Sequence, residues 1–208
     1  MRIACLGGGA AGLYFAISMK LREASHDITV FERNRPDDTF GWGVVFSAET
    51  LQALAENDAP SRDEIEKNFA YWDDIAVVHN GVRTVSTGHG FCGIGRMKLL
   101  NILQARAEEL GVKINYQTEI NSTDGLSDYD LIVAADGLNS KARAQHAAVF
   151  QPDTQMGQCH FIWLGTHQKF DDAFTFIFEE TEHGWVWAHV YQFDDDTATF
   201  IVECAPET

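Results

Sequence analysis

Ile3-Ala4-Cys5-Leu6-Gly7-Gly8-Gly9-Ala10-Ala11-Gly12 opens a stretch that closes on Ile28-Thr29-Val30-Phe31-Glu32-Arg33, and the reading of these residues decides the fold. An apolar run ends at Leu6, a glycine turn follows, and Leu13, Ile17 and Leu21 then recur at helical spacing up to Ala24. Ile28 to Glu32 is a short apolar strand of the kind that lies inside a parallel sheet. Gly7, Gly9 and Gly12 stand in G-x-G-x-x-G register. Gly7 permits the tight turn, Gly9 lets the backbone approach a pyrophosphate, and Gly12 lets helix and strand pack closely. The helix start offers free N–H groups to phosphate. Glu32 falls where a carboxylate can take both hydroxyls of a ribose, so the whole unit reads as a dinucleotide site rather than a structural turn.

Composition bounds what surrounds that unit. A chain of 208 residues, 45% hydrophobic and 22% charged, is ordinary globular protein long enough for a substantial core. Its net charge of -16 argues against nucleic acid and anionic membranes as partners, since both would be repelled. From Gln151 onward one basic residue, Lys169, faces eleven acidic ones. The cysteines at 5, 92, 159 and 204 form no C-x-x-C pair, and the eight histidines show no paired ligand spacing, so no metal site is expected. A reduced, cytoplasmic chain is the simplest reading, and no apolar run approaches the length of a membrane span.

Along the chain, 33–46 reads as a loop whose Trp42, Val44, Val45 and Phe46 are too apolar to face only water, and it is expected to lie against a ligand. A short helix is expected over 48–55, and Ser61-x-x-Glu64 reads as a capping box opening another. Residues 72–78 and 82–87 around Asn80-Gly81 read as a hairpin with a two-residue turn. The glycine-rich 88–95 leads into Arg96 and a helix in which Leu100, Leu103, Ala107 and Leu110 share a face, stopped by Gly111. Strands follow at 112–118 and 130–135, the second running into Asp136-Gly137-Leu138-Asn139-Ser140-Lys141-Ala142-Arg143. After Gln151 antiparallel strands are expected near 159–166, 173–179, 185–193 and 197–204. Phe174, Phe176 and Phe178 fall on one face, as do Trp185, Trp187, His189 and Tyr191. Such rows form either a sheet core or a wall over an aromatic ligand.

With these segments in place the chain resembles the class A flavoprotein monooxygenases, single-component aromatic hydroxylases. Three signals carry the resemblance: the glycine fingerprint ending in Glu32-Arg33, Arg96 at a helix start, and the D-G-x-x-S-x-x-R pattern from Asp136 to Arg143. The run from Glu32 to Ser47 is similar to the salicylyl-CoA 5-hydroxylase and 2-aminobenzoyl-CoA monooxygenase branch. The resemblance implies an α/β, glutathione-reductase-like FAD-binding Rossmann domain over 1–150, with 71–95 as a hairpin insertion. The start of an antiparallel β substrate domain would then occupy 151–208. It implies FAD held by Gly7, Gly9, Ala11, Gly12, Glu32, Arg33, Arg96, Asp136 and Gly137, with NAD(P)H as reductant. The expected reaction is hydroxylation of an activated aromatic ring, carried as a CoA thioester or free. No acid–base residue is assigned, because the cofactor supplies the hard chemistry.

Two departures qualify that expectation. Ala10 stands where many relatives carry proline, and the chain contains no Gly-Asp pair, the later motif whose acid meets the ribityl chain. The sequence therefore reads as an N-terminal portion. Two other readings stay open: a truncated nucleotide-binding fragment that forms a homo-dimer through an exposed apolar sheet, and an NAD-dependent dehydrogenase sharing the first 33 residues. CoA phosphates would call for basic side chains, and Arg33, Arg35 and Arg83 are the candidates.

Overall fold

The computed structural model describes residues 1–170 and 173–208. In chain order the elements are β1 (Arg2–Leu6), α1 (Ala10–Arg22), β2 (Asp27–Phe31), β3 (Gly43–Phe46), α2 (Ala48–Glu66), β4 (Ala70–Trp72) and β5 (Asp74–His79). Next come β6 (Val82–Ser86), β7 (Phe91–Gly95), α3 (Arg96–Glu109), β8 (Lys113–Asn115), β9 (Leu131–Ala134), α4 (Lys141–Gln145) and α5 (Ala147–Phe150). The last four are β10 (His160–Thr166), β11 (Ala173–Thr181), β12 (Gly184–Gln192) and β13 (Ala198–Cys204). Two compact units result: Met1–Thr39 with Leu99–Thr154, and Phe40–Lys98 with Gln155–Thr208. The stretch that groups with the C-terminal strands is thus 40–98, wider than the hairpin at 71–95.

The first unit is built on a parallel sheet in the order β8-β2-β1-β9. Ile3, Ala4, Cys5, Ile28 and Val30 are fully buried, as continuous apolar strands covered on both faces should be. Each buried Ile or Val contributes about 1.5–3 kcal/mol. α1 lays Leu13, Ala16 and Ile17 into that core, while Leu21 is half-exposed beyond the sheet. Its last turn carries Lys20 and Arg22, whose side chains donate to the carbonyls of Ala24 and Ser18 at 3.0 and 2.9 Å and complement the helix dipole. At the end of α3, Gly111 has φ +80°, and Val112 N–H closes on Ala107 O at 2.9 Å, so the expected glycine stop is a left-handed cap.

The second unit holds a six-stranded sheet, β10-β13-β12-β11-β5-β6, and a three-stranded one, β3-β7-β4. The four C-terminal strands form as expected, and the hairpin at Asn80-Gly81 turns with φ of 50° and 74°, the left-handed pair that a two-residue loop needs. Unforeseen is that β5 joins β11 in parallel, so the hairpin extends the C-terminal sheet.

Three expectations need correction. The 33–46 segment is not loop throughout, because 43–46 is β3, paired antiparallel to β7, and Trp42 packs so tightly on Gly165 that a Cβ there would meet its ring at 2.6 Å. The glycine-rich 88–95 contains β7, whose small residues admit Trp72 against Gly93. The capping box at Ser61 does not form: α2 is two helical segments parted at Asp58, so a second helix does follow the first, but it opens at that break, and Ser61, buried inside it, donates to Asp58 Oδ2 at 2.5 Å. Pro60 removes a helical N–H, and the break falls just ahead of it.

Candidate functional site

In the first unit, the chain leaves β1 toward β2 on one side and returns to β9 on the other, so the carboxyl ends of β1 and β9 face a topological switch point. Both sequence motifs emerge there. Gly7, with φ +104°, lies so close to the D-G segment that a Cβ would stand 2.3 Å from Ala135 O and 3.2 Å from Asp136 Cα. Ala135 N–H donates to Leu6 O at 2.8 Å and Gly7 N–H to Phe31 O at 2.9 Å, which ties the turn to both neighbouring strands. Gly12 is held by the same crowding, since its Cβ would fall 2.0 Å from Gly7 O.

Gly9 is different. It is the N-cap of α1 and makes no side-chain cap, and nothing lies within 4 Å of where its Cβ would be. Gly137, with φ +83°, also faces open space, and Ala11 is exposed on the first turn. A helix start without a cap, fronted by two glycines that open onto space, is a cradle suited to a phosphate.

Acidic groups flank that cradle. Glu32 Oε2 accepts from Gly8 N–H and its Oε1 from Asn34 N–H, each at 2.7 Å. Gly8 is a residue the fingerprint did not single out: a Cβ there would meet Glu32 Cβ at 2.9 Å, so Gly8 is what allows the acid to lie against the turn. Its signal in the sequence was a further glycine standing between Gly7 and Gly9. Asp136 Oδ2 accepts from Lys141 N–H at 2.8 Å and from Ala142 N–H at 3.2 Å, while Oδ1 is buried without a protein partner. Burial pushes the Asp136 carboxyl up, but hydrogen bonds from Ser140 and from the backbone of Ala142 and Lys141 outweigh it and hold the group below its ordinary value. Ser140 caps α4, accepting from Arg143 N–H at 3.0 Å, so the serine of the motif fixes the turn that presents Asp136. Arg33 is exposed beside the cradle strand. An uncapped helix start, an orphaned carboxylate oxygen and a cradle that a Cβ would fill together fit a flavin dinucleotide.

The second unit carries Arg96 and an aromatic face. Arg96 opens α3, half-buried, and its N–H donates to Trp42 O at 2.7 Å. On the six-stranded sheet, alternation and register put Phe174 and Phe176 of β11, Tyr191, His189 and Trp187 of β12, and Thr199 and Glu203 of β13 on one side. At one end of that side the three-stranded sheet packs. Tyr191 OH donates to Gly43 O at 2.8 Å, Gly43 N–H donates to Thr199 Oγ1 at 2.9 Å, and Trp72 stacks on Tyr191 with ring centres 5.8 Å apart. That end is core. The Nε1 atoms of Trp72 and of Trp163 are buried without partners, which leaves two donors available inside the unit. A cleft of about 390 Å³ lined by Leu51, Trp72, Asp73 and Phe91 opens beside β4 and β7. Among the described residues there is no cluster of metal-ligating side chains, and no helix is long and apolar enough to cross a membrane.

No family model matches the chain. The fold is shared with 2-methyl-3-hydroxypyridine-5-carboxylic acid oxygenase in its tetrameric form, at a TM-score of 0.82 and 20% identity over 99% of this chain and 59% of that one. The architecture is thus the one used by flavin-dependent monooxygenases. By sequence the chain is 42% identical over 203 residues, 98% of its length, to a salicyloyl-CoA 5-hydroxylase from Streptomyces sp.. It is 34% identical over its whole length to protodeoxyviolaceinate monooxygenase of Chromobacterium violaceum. Its homologues are thus salicyloyl-CoA 5-hydroxylase and related aromatic monooxygenases. It spans 39% and 56% of the lengths of those two curated relatives.

Proposed function

We propose that this chain is the FAD-holding part of an enzyme that hydroxylates an activated aromatic ring at the expense of NAD(P)H. The observation that carries the reading is the meeting of two motifs at one switch point, Gly7 against Ala135 and Asp136. A nicotinamide dehydrogenase would need only the first of them.

In this reading the start of α1, with Gly9 and Ala11, receives the pyrophosphate, and Glu32 takes the adenosine ribose. Asp136 and Gly137 border the same cradle, and Arg33 adds positive charge beside it. When bound, the flavin supplies the redox chemistry, taking electrons from NAD(P)H and passing them to O₂. The protein's share is to orient the ring and exclude water, for which the apolar strands and aromatic face are suited. An aromatic acyl-CoA such as salicyloyl-CoA or 2-aminobenzoyl-CoA is the proposed substrate, following the relative of that name. The exposed Arg33 and Arg35 are the side chains offered for its phosphates.

The test is a visible spectrum followed by an oxygen-electrode assay. The purified chain should take up FAD and turn yellow, and should consume NAD(P)H and O₂ when given salicyloyl-CoA. Colourless protein that retains no added FAD would overturn the cofactor assignment for this chain. Self-association is proposed through β10, an edge strand with Phe161, Ile162 and Leu164 exposed. The oxygenase that shares its fold is described as tetrameric. A single monomer peak by light scattering would refute the pairing.

A further inference from the structure

On the aromatic side of the six-stranded sheet the side chains near its middle are Phe176, Trp187, Ile201 and two ionisable groups, His189 and Glu203. Glu203 is held in place, because Trp187 Nε1–H donates to its Oε2 at 3.0 Å. Its other oxygen, Oε1, stands 3.9 Å from His189 Nδ1, with both side chains about seven-tenths covered. The imidazole meets the Phe176 ring edge-on with centres 5.1 Å apart. A carboxylate anchored by an indole, behind an imidazole whose Nδ1 is turned to it and whose ring lies among aromatic side chains, is the arrangement of a base and its orienting group.

We propose that His189, oriented by Glu203, is the base that receives the hydroxyl proton of a phenolic ring lying on this face. The assignment rests on the aromatic-hydroxylase reading above. A phenol ionises near pH 10, so at neutral pH the ring keeps its proton and becomes a phenolate only if a neighbouring group takes it. In the step, the phenolic O–H bond breaks and an N–H bond forms at His189 Nε2. The electron pair stays on the oxygen and is shared with the ring, which becomes the stronger nucleophile. No electrons leave the pair, so this step consumes no oxidant. Glu203 offsets the charge of the imidazolium that results. Catalytic hydrogen bonds are often long before a ligand binds, and 3.9 Å is within ion-pair reach.

The other titratable groups around the imidazole are Tyr191 on its own strand, whose hydroxyl is committed to Gly43 O, and Glu180 and His79 at the far end of the face beside Trp185. None offers Nδ1 a carboxylate in the way Glu203 does. Histidine at this place had only one signal in the sequence, its membership of the alternating row Trp185, Trp187, His189, Tyr191.

The test uses the salicylic N-acetylcysteamine thioester as probe, with the benzoyl thioester as a control lacking the hydroxyl. Absorbance titration reads the ionisation of the bound phenol without turnover. The wild-type chain should lower the probe's phenol pKa by about one unit or more, a tenfold effect. His189→Gln should abolish that shift while leaving affinity for the benzoyl control within about twofold, and Glu203→Gln should give an intermediate value. If His189→Gln binds the probe and keeps the shift, the assignment is overturned while the hydroxylase reading stands. If the wild type binds neither thioester, the hydroxylase reading falls and takes the assignment with it. Near-UV circular dichroism checks folding. Should His189→Gln not fold, His189→Asn and Glu203→Gln carry the test, and an undiminished shift in both overturns the proposal.

Discussion

The backbone N–H of Gly8 donates to Glu32 Oε2 at 2.7 Å, binding the second glycine of the turn to the acid at the end of the next strand. The acid is therefore positioned by the turn it is expected to serve. Each carboxylate oxygen retains a lone pair for a ribose hydroxyl after accepting its backbone N–H.

Glu32→Ala should weaken FAD binding about tenfold or more, the scale of one charged hydrogen bond, about 1.5–3 kcal/mol. Gly8→Ala should act through the same acid, since its Cβ would strike Glu32 Cβ at 2.9 Å. The two substitutions together should therefore cost less than the sum of the separate losses. Fluorescence titration with FAD measures all three variants, and strict additivity would show that Gly8 acts independently of Glu32.

Gly9 and Gly12 separate binding from folding. Gly12→Ala places a methyl 2.0 Å from a backbone carbonyl and should destabilise the first unit by about 1–3 kcal/mol or more, read as a lower urea midpoint. Gly9→Ala meets nothing within 4 Å and has φ −73°, so the fold should be unaffected. Its methyl would occupy the space proposed for the pyrophosphate, and FAD affinity should fall with the urea midpoint unchanged. Equal effects of the two variants on stability would contradict this division of roles.

What the sequence disclosed follows from the range over which each feature is determined. The glycine turn, α1 and the left-handed Gly111 are local, set by backbone sterics within a few residues, and were legible. So were the alternating rows of β11 and β12, because a strand's two faces follow from its period. β3 and β7 were missed because Gly43, Gly93 and Gly95 read as breakers, whereas in the fold each lies against an aromatic ring brought from elsewhere in the chain, Phe193 at Gly43 and Gly95 and Trp72 at Gly93. The parallel pairing of β5 with β11 joins segments about a hundred residues apart and leaves no local trace. In the proposed site, Glu32 and Asp136 are the residues that motif spacing names. Gly8 and Glu203 are not, since their meaning comes from the neighbours that packing brings to them.

Cys5 links stability to alkaline pH. Its thiol is fully buried under the turn, donates to Gly12 O at 3.5 Å, and is pushed up to about 12 by loss of hydration. In the unfolded chain it ionises near 8.5. The folded pKa being the higher, its contribution is complete below about pH 8.5 and is lost progressively as pH rises toward 12. Urea midpoints between pH 7 and 10 should fall less steeply in Cys5→Ala than in the wild type. A thiol reagent at pH 8 should label the exposed Cys159 at once and reach Cys5 only on unfolding.

Tyr191 joins the two sheets of the second unit through one hydrogen bond and its stacking on Trp72, and meets Phe174 within its own sheet. Its hydroxyl, which burial pushes above the ordinary tyrosine range, donates to Gly43 O at 2.8 Å, while the ring stacks on Trp72 and meets Phe174 edge-on at 5.2 Å. Tyr191→Phe keeps the rings and leaves Gly43 O without that donor in a buried place, a loss of about 1–1.5 kcal/mol. Tyr191→Ala also removes the ring contacts and should cost about 3–5 kcal/mol. For a chain of this size the first corresponds to a fall of about 2–6 °C in melting temperature by calorimetry. If Tyr191→Phe melts with the wild type while Tyr191→Ala is strongly destabilised, the joint is made by ring packing and the hydroxyl adds nothing to it.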